Sequence, residues 1–203
     1  MKQINKYILE HFENSKFSIL EHFENSKFSI VERLHINKDI GKHDNHYNYH
    51  PKTKDELKQL VYKLIKERGN DANLNDIDTS EITDMTELFF YSLFNGDISN
   101  WNVSNVKDMS SMFEASSFNG DISNWDVSNV KDMDGMFKYS SFTGENGDIS
   151  NWDVNNVVNM NVMFYNSPFN GDISNWDVSN VEYMDGIFED SPLEKNPPKW
   201  YKK

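Results

Sequence analysis

In the stretch DISNWNVSNVKDMSSMFEASSFNG, residues 97–120, the spacing of apolar positions changes partway. Trp101 and Val103 flank the polar Asn102, which is the two-residue period of a strand, and Ile98 is a further inward candidate. Val106, Met109, Met112 and Phe113 then fall three and four apart, the stripe of a short helix. Ser104 or Asn105 is placed to cap that helix, with Asp108 in its first turn, where negative charge is favoured. Phe118 returns to the core and Asn119-Gly120 turns the chain. The pattern predicts a strand, a tight corner, a short helix and a turn.

The same spelling recurs down the chain. FNGDISNWDVSN stands at 118–129 and again at 169–180. Trp101, Trp125, Trp152, Trp176 and Trp200 are 24 residues apart, except for one interval of 27 where SSFTGENGD (140–148) replaces SSFNGD. Phe113, Phe137, Phe164 and Phe188 keep the same spacing, as do Met109, Met133, Met160 and Met184. An earlier unit, 74–89, aligns with Ile77 at the Trp position. A fixed period of this length marks stacked repeats, in which each unit buries its apolar face only against its neighbours. In the last unit, SPLEKNPPKW (191–200), Pro197 and Pro198 replace the residues equivalent to Ile173 and Ser174. Proline donates no backbone hydrogen bond, so this unit closes the stack.

Upstream of the repeats, Leu57, Leu60, Val61, Leu64 and Ile65 predict a helix over about 54–68. Thr53 is its N-cap, Glu56 the capping-box partner and Gly69 the stop. Further upstream ILEHFENSKFS occurs in tandem, at 8–18 and 19–29. Eleven residues are close to three helical turns, so the duplication predicts helical, partly ordered segments. The chain therefore divides into a tether at 1–50, a capping helix at 51–70, a repeat body at 71–190 and a C-terminal cap at 191–203. The fold class expected is an α/β repeat solenoid of leucine-rich-repeat-like form, with one short parallel strand and one short helix per 24-residue unit and a helical N-terminal extension.

Composition narrows the function. Hydrophobic residues make up 37% and aromatics 14% of 203 residues, enough for a core despite a mean hydropathy of −0.75. A net charge of −13 and a pI near 4.8 argue against nucleic-acid partners, whose phosphates need a basic surface. There is no cysteine, so disulfides and thiolate metal sites are excluded. No run of about 18 apolar residues predicts membrane insertion, and the N-terminus lacks a secretory apolar core. The expected location is the cytoplasm of the producing cell or a virion, with the cell surface reached only by a non-standard export route.

Candidate chemistry is sparse. His43, His46 and His50 cluster in GKHDNHYNYHP (41–51), which reads as a solvated linker rather than a metal clip, since no closed ligand set accompanies them. The columns Asp97, Asp121, Asp148, Asp172 and Asn102, Asp126, Asp153, Asp177 read as turn-forming residues, with Ca²⁺ ligation the competing reading. The Trp column reads as core, with an aromatic platform for sugar rings as its competitor. The repeats contain no histidine and no Ser/His/Asp set or phosphate loop, so no catalytic, cofactor or metal residue is assigned and no enzyme is expected. What varies between units is the other side. Lys107, Lys131, Val158 and Glu182 are equivalent, as are Glu114, Lys138, Tyr165 and Glu189. A partner with a unique surface is better met by varied positions. The candidate partner-binding residues are Lys107, Glu114, Lys131, Lys138, Tyr139, Tyr165, Glu182 and Glu189.

The repeat F-N-G-D-I-S-N-W-D-V-S-N-V-x-x-M-x-x-M-F resembles that of the BspA-like leucine-rich-repeat surface proteins, also found in mycoplasma lipoproteins, over roughly 74–200. The resemblance implies a curved solenoid used in protein binding or adhesion, and no catalytic residues. The phrases SILEHF and LHINKDI within 1–50 are similar to leader segments of gut bacteriophage proteins. The function expected is a non-catalytic scaffold for protein–protein interaction or adhesion, its partner a host or virion protein. A carbohydrate-binding or adhesive module displayed on a cell or phage particle is the alternative, its partner a glycan.

Overall fold

A computed structural model of the protein describes residues 47–202, so the duplicated 11-residue motif, the tether expected at its place and the residues His43 and His46 lie outside the described residues. The α-helix among them, α1, runs Lys54–Arg68. Thr53, in an extended conformation, accepts the N–H of Glu56 at 3.3 Å, and Glu56 in turn accepts the N–H of Lys52 at 2.7 Å. Asp55 and Glu56 at the start and Lys66 and Arg68 at the end match the helix dipole. Gly69 ends the helix at φ 94, its N–H reaching the carbonyl of Ile65 at 2.8 Å. Leu57, Leu60, Val61 and Leu64 are fully buried in the core that continues into the first repeat, each stabilising by roughly 2 kcal/mol. Ion pairs from Lys52 to Glu81, Lys54 to Asp84 and Arg68 to Asp76 fasten the rim of this joint.

Beyond α1 the chain departs from the expected architecture. The described residues contain no strand and no second α-helix; a 3-10 turn at Pro192–Glu194 is the other regular segment. The α/β solenoid with a strand and a helix per unit is therefore corrected. Each repeat is a rung built from consecutive tight turns. In 97–120, the N–H of Trp101 reaches Ile98 O, that of Val106 reaches Val103 O, and that of Met112 reaches Met109 O, all three residues apart. The two-residue alternation around Trp101 thus comes from a turn rather than a strand.

The helical stripe fails for a more specific reason. From Met109 to Ser116 the backbone N–H groups are used alternately. Those of Met112, Glu114 and Ser116 close turns within the rung. Those of Met109, Ser111, Phe113 and Ala115 donate to the next rung, to Asp132, Asp134, Met136 and Lys138 carbonyls at 2.7–2.9 Å. Sending every second N–H outward requires the backbone to change handedness. Ser111 and Ala115 accordingly stand at φ 52 and 54, the left-handed region closed to an α-helix. Gly135 and Tyr139, Val162 and Asn166, and Gly186 and Asp190 repeat that pair of positions. Side chains three and four apart still share a face, which is why the stripe is buried although the segment is not helical.

At the start of this same segment the rungs are joined by single parallel bridges, Asp84 to Asp108, Asp108 to Asp132, Asp132 to Asn159 and Asn159 to Tyr183. The interior holds two aromatic columns. Phe89, Phe113, Phe137, Phe164 and Phe188 stack with centroids 5.4–6.1 Å apart. Phe94, Phe118, Phe142 and Phe169 form the second column, in contact with the first within each rung. Such pairs contribute about 1 kcal/mol each beyond their burial. The insertion at 143–147 bulges without breaking register, since Met133, Gly135, Phe137 and Tyr139 still donate to Asn159, Asn161, Met163 and Tyr165. Among the described residues no helix is long and apolar enough to cross a membrane.

Candidate interaction surface

The repeated residues are structural. Trp101, Trp125, Trp152 and Trp176 are only 3–4% exposed. Each donates its indole N–H to the preceding rung, to the carbonyls of Leu74, Ile98, Ile122 and Ile149 at 2.9–3.3 Å, and Trp200 does the same to Ile173 at 2.8 Å. Those four rings are therefore closed to a sugar ring, and Trp200 at the cap is partly buried. Asn105, Asn129, Asn156 and Asn180 donate from their carboxamides to Ser80, Ser104, Ser128 and Asn155 carbonyls at 2.7–2.8 Å, satisfying backbone groups at the corner.

The Asp columns open turns. Oδ1 of Asp97, Asn102 and Asp108 accepts the N–H two residues on at 3.0, 3.1 and 2.9 Å, and the equivalents in later rungs do likewise. Hydrogen bonds from Ser128, side chain and main chain, hold the Asp126 carboxyl below the usual carboxylate range. No group of three or more His, Asp or Glu is arranged to hold a metal ion among the described residues. His50 sits 3.2 Å from Oδ2 of Asp78 rather than in a cluster.

Four of the sequence-derived candidates come together. Lys138 Nζ pairs with Glu114 Oε1 at 2.9 Å, and Glu114 also accepts from Ser111 Oγ at 2.8 Å. The Lys138 ammonium lies 5.7 Å from the centre of the Tyr139 ring, and Tyr139 meets Tyr165 edge-on at 5.3 Å. Glu189 continues this column one rung further, its carbonyl accepting from Asn166. Lys107, Lys131 and Glu182 are exposed and belong to a second column, threaded through Val158 by backbone bonds of 2.8–2.9 Å. Burial and the neighbouring Asp132 charge push the Asp134 carboxyl up, against the opposing pull of Lys138.

Three exposed apolar residues escape a reading based on the five Trp-bearing units. Phe90 and Leu93 stand in the first rung, which lacks the Trp; Phe90 is the equivalent of Glu114. Tyr183, 53% exposed, replaces the turn-opening Asp132 and Asn159. Aligning the 74–89 unit by its Met85 and Phe89 is the signal that finds Phe90.

No curated protein and no solved structure matches the chain. A family profile does match, over residues 56–164 and again over 142–202, together spanning α1 from its third residue, every rung and the cap. The chain belongs to the family described as Mycoplasma protein of unknown function, DUF285.

Proposed function

We propose that the protein is a non-catalytic interaction scaffold of the BspA-like kind, and that its partner is a protein. The observation that carries this reading is the division of labour between positions. Residues identical from rung to rung are turned inward or spent on turns, whereas the neighbouring Glu114, Lys138, Tyr139 and Tyr165 differ between rungs and lie together at the surface. A mixed patch of tyrosines and a lysine suits a protein partner, since tyrosine provides a rigid contact with a polar edge. Burial of Trp101, Trp125, Trp152 and Trp176 weighs against the glycan alternative.

The test is capture of partners by the full 203-residue chain, set beside a glycan array. Expected is one saturable protein partner whose affinity falls about ten-fold or more in the double variant Lys138→Ala, Tyr165→Ala. Glycan binding without a protein partner sinks the proposal. Unchanged affinity in the double variant moves the contact elsewhere.

A further inference from the structure

We infer that Asn170-Gly171 is a site of spontaneous covalent modification, the one Asn-Gly step of the stack left open to deamidation. The chain has four such steps, Asn95-Gly96, Asn119-Gly120, Asn146-Gly147 and Asn170-Gly171, each followed by Asp-Ile-Ser. Their intrinsic chemistry is therefore alike. Three of them are Phe-Asn-Gly, and Asn146 follows Glu145.

In the reaction the backbone nitrogen of the glycine attacks Cγ of the asparagine. The N–Cγ bond forms, the Cγ–Nδ2 bond breaks, and Nδ2 departs as ammonia carrying the glycine's amide proton. Water then opens the cyclic imide at either carbonyl, giving aspartate or isoaspartate. The step needs a free carboxamide and a glycine backbone able to swing onto it.

Three sites are held. Asn95 Oδ1 accepts the N–H of Asn119 at 2.7 Å, and Asn119 Oδ1 accepts the N–H and hydroxyl of Thr143 at 2.9 and 3.1 Å. Asn146 donates its carboxamide to Asn119 O at 3.1 Å. Their glycines are pressed against the preceding rung. A Cβ at Gly96, Gly120 or Gly147 would stand 2.0, 3.3 or 2.8 Å from the carbonyl oxygen of Ala72, Gly96 or Gly120.

Asn170, exposed like Asn95 and Asn146, differs in that its carboxamide has no hydrogen-bond partner among the described residues. By register, Glu194 is the residue whose N–H should cap it, as Asn119 caps Asn95. The C-terminal chain instead turns into the 3-10 segment, where the N–H of Glu194 bonds Ser191 O at 3.1 Å. A half-open cleft of about 220 Å³ is left between 170–174 and Leu193, Asn196 and Pro198. A Cβ at Gly171 would meet the ring of Phe169 in its own rung, as one at Gly120 meets Phe118, but no atom of the preceding rung would lie closer to it than 3.7 Å. The modification converts a neutral amide beside Asp172 into a carboxylate at the joint between the last full rung and the cap, so the stack ages first at that joint.

The experiment is incubation of the native 203-residue chain in mildly alkaline buffer, with peptide mapping by chromatography and mass spectrometry over time. Asn170 is expected to deamidate about ten-fold or more faster than Asn95, Asn119 and Asn146, which must first open locally. In urea the four rates are expected to converge, and Asn170→Gln is expected to remove the fast product. Equal native rates, or a lead by Asn146, overturn the assignment. A lead by Asn170 that persists in the unfolded chain also overturns it, because the cause is then not the fold.

Discussion

Trp152 donates its indole N–H to the carbonyl of Ile122 at 3.2 Å across the joint that carries the insertion, where thirty residues separate them rather than twenty-seven. The bond length does not register the extra residues. Each indole adds a second hydrogen bond to a carbonyl that already closes a turn in its own rung; Ile122 O also accepts the N–H of Trp125 at 3.2 Å. Trp152→Phe keeps an aromatic ring and removes only the bond between rungs. A loss of about 1 kcal/mol is expected in urea unfolding. An unchanged midpoint would remove this bond from the forces joining the rungs.

The left-handed positions make a second expectation. Val162, β-branched, is held at φ 46, where Gly135 and Gly186 take the equivalent place in other rungs. Relief of a left-handed side chain is worth roughly 1–2 kcal/mol, partly offset by the added freedom of glycine in the unfolded chain. Val162→Gly should leave thermal stability unchanged or raise it, whereas Gly135→Ala should lower it by about 1 kcal/mol. The opposite order in calorimetry would contradict the assigned backbone.

Strong acid should weaken the joint between α1 and the first rung. The Arg68 guanidinium, 2.9 Å away, holds the Asp76 carboxyl below its ordinary range, with Asn48 assisting. A carboxyl lowered by folding contributes stability above its unfolded pKa of about 3.9, and that contribution is lost as pH falls through the lower folded value. Asp76→Asn should cost no more than about 1 kcal/mol near neutrality, because the pair is partly exposed. The cost should vanish toward strongly acidic pH. A cost independent of pH would show that shape rather than charge matters there.

Asp134 carries the opposite sign. Burial and Asp132 raise its carboxyl, so the charged form is disfavoured in the folded chain and stability declines as pH rises through the raised value. Asp134→Asn should stabilise by less than about 1 kcal/mol at neutral pH and show no gain in acid. Destabilisation at neutral pH would overturn the sign.

The repeat period, the buried residues and the cap of α1 were legible because they depend on side-chain identity alone. Thr53, Glu56 and Gly69 each announce a local hydrogen bond, and Trp101 and Phe113 recur because stacking demands them. The backbone path was not legible. Val106, Met109, Met112 and Phe113 have the spacing of a helix, but Ser111 and Ala115 carry no mark of a left-handed φ. Only Gly135 and Gly186, at the same place in other rungs, hint at it, and a comparison of rungs for glycine would have raised the doubt. The same limit applies to the surface. Glu114 and Lys138 read as equivalent positions, and their pairing followed from the rung spacing, whereas Phe90 was hidden in the unit without a Trp.

Whether the rungs are joined by alternate backbone N–H groups is read most directly by through-hydrogen-bond couplings in isotope-labelled protein. The N–H groups of Ser111 and Phe113 are expected to couple to the carbonyl carbons of Asp134 and Met136 in the next rung. Coupling of Phe113 to Met109, four residues back within its own rung, would mean that the segment is a helix and would contradict the stack of turns described above.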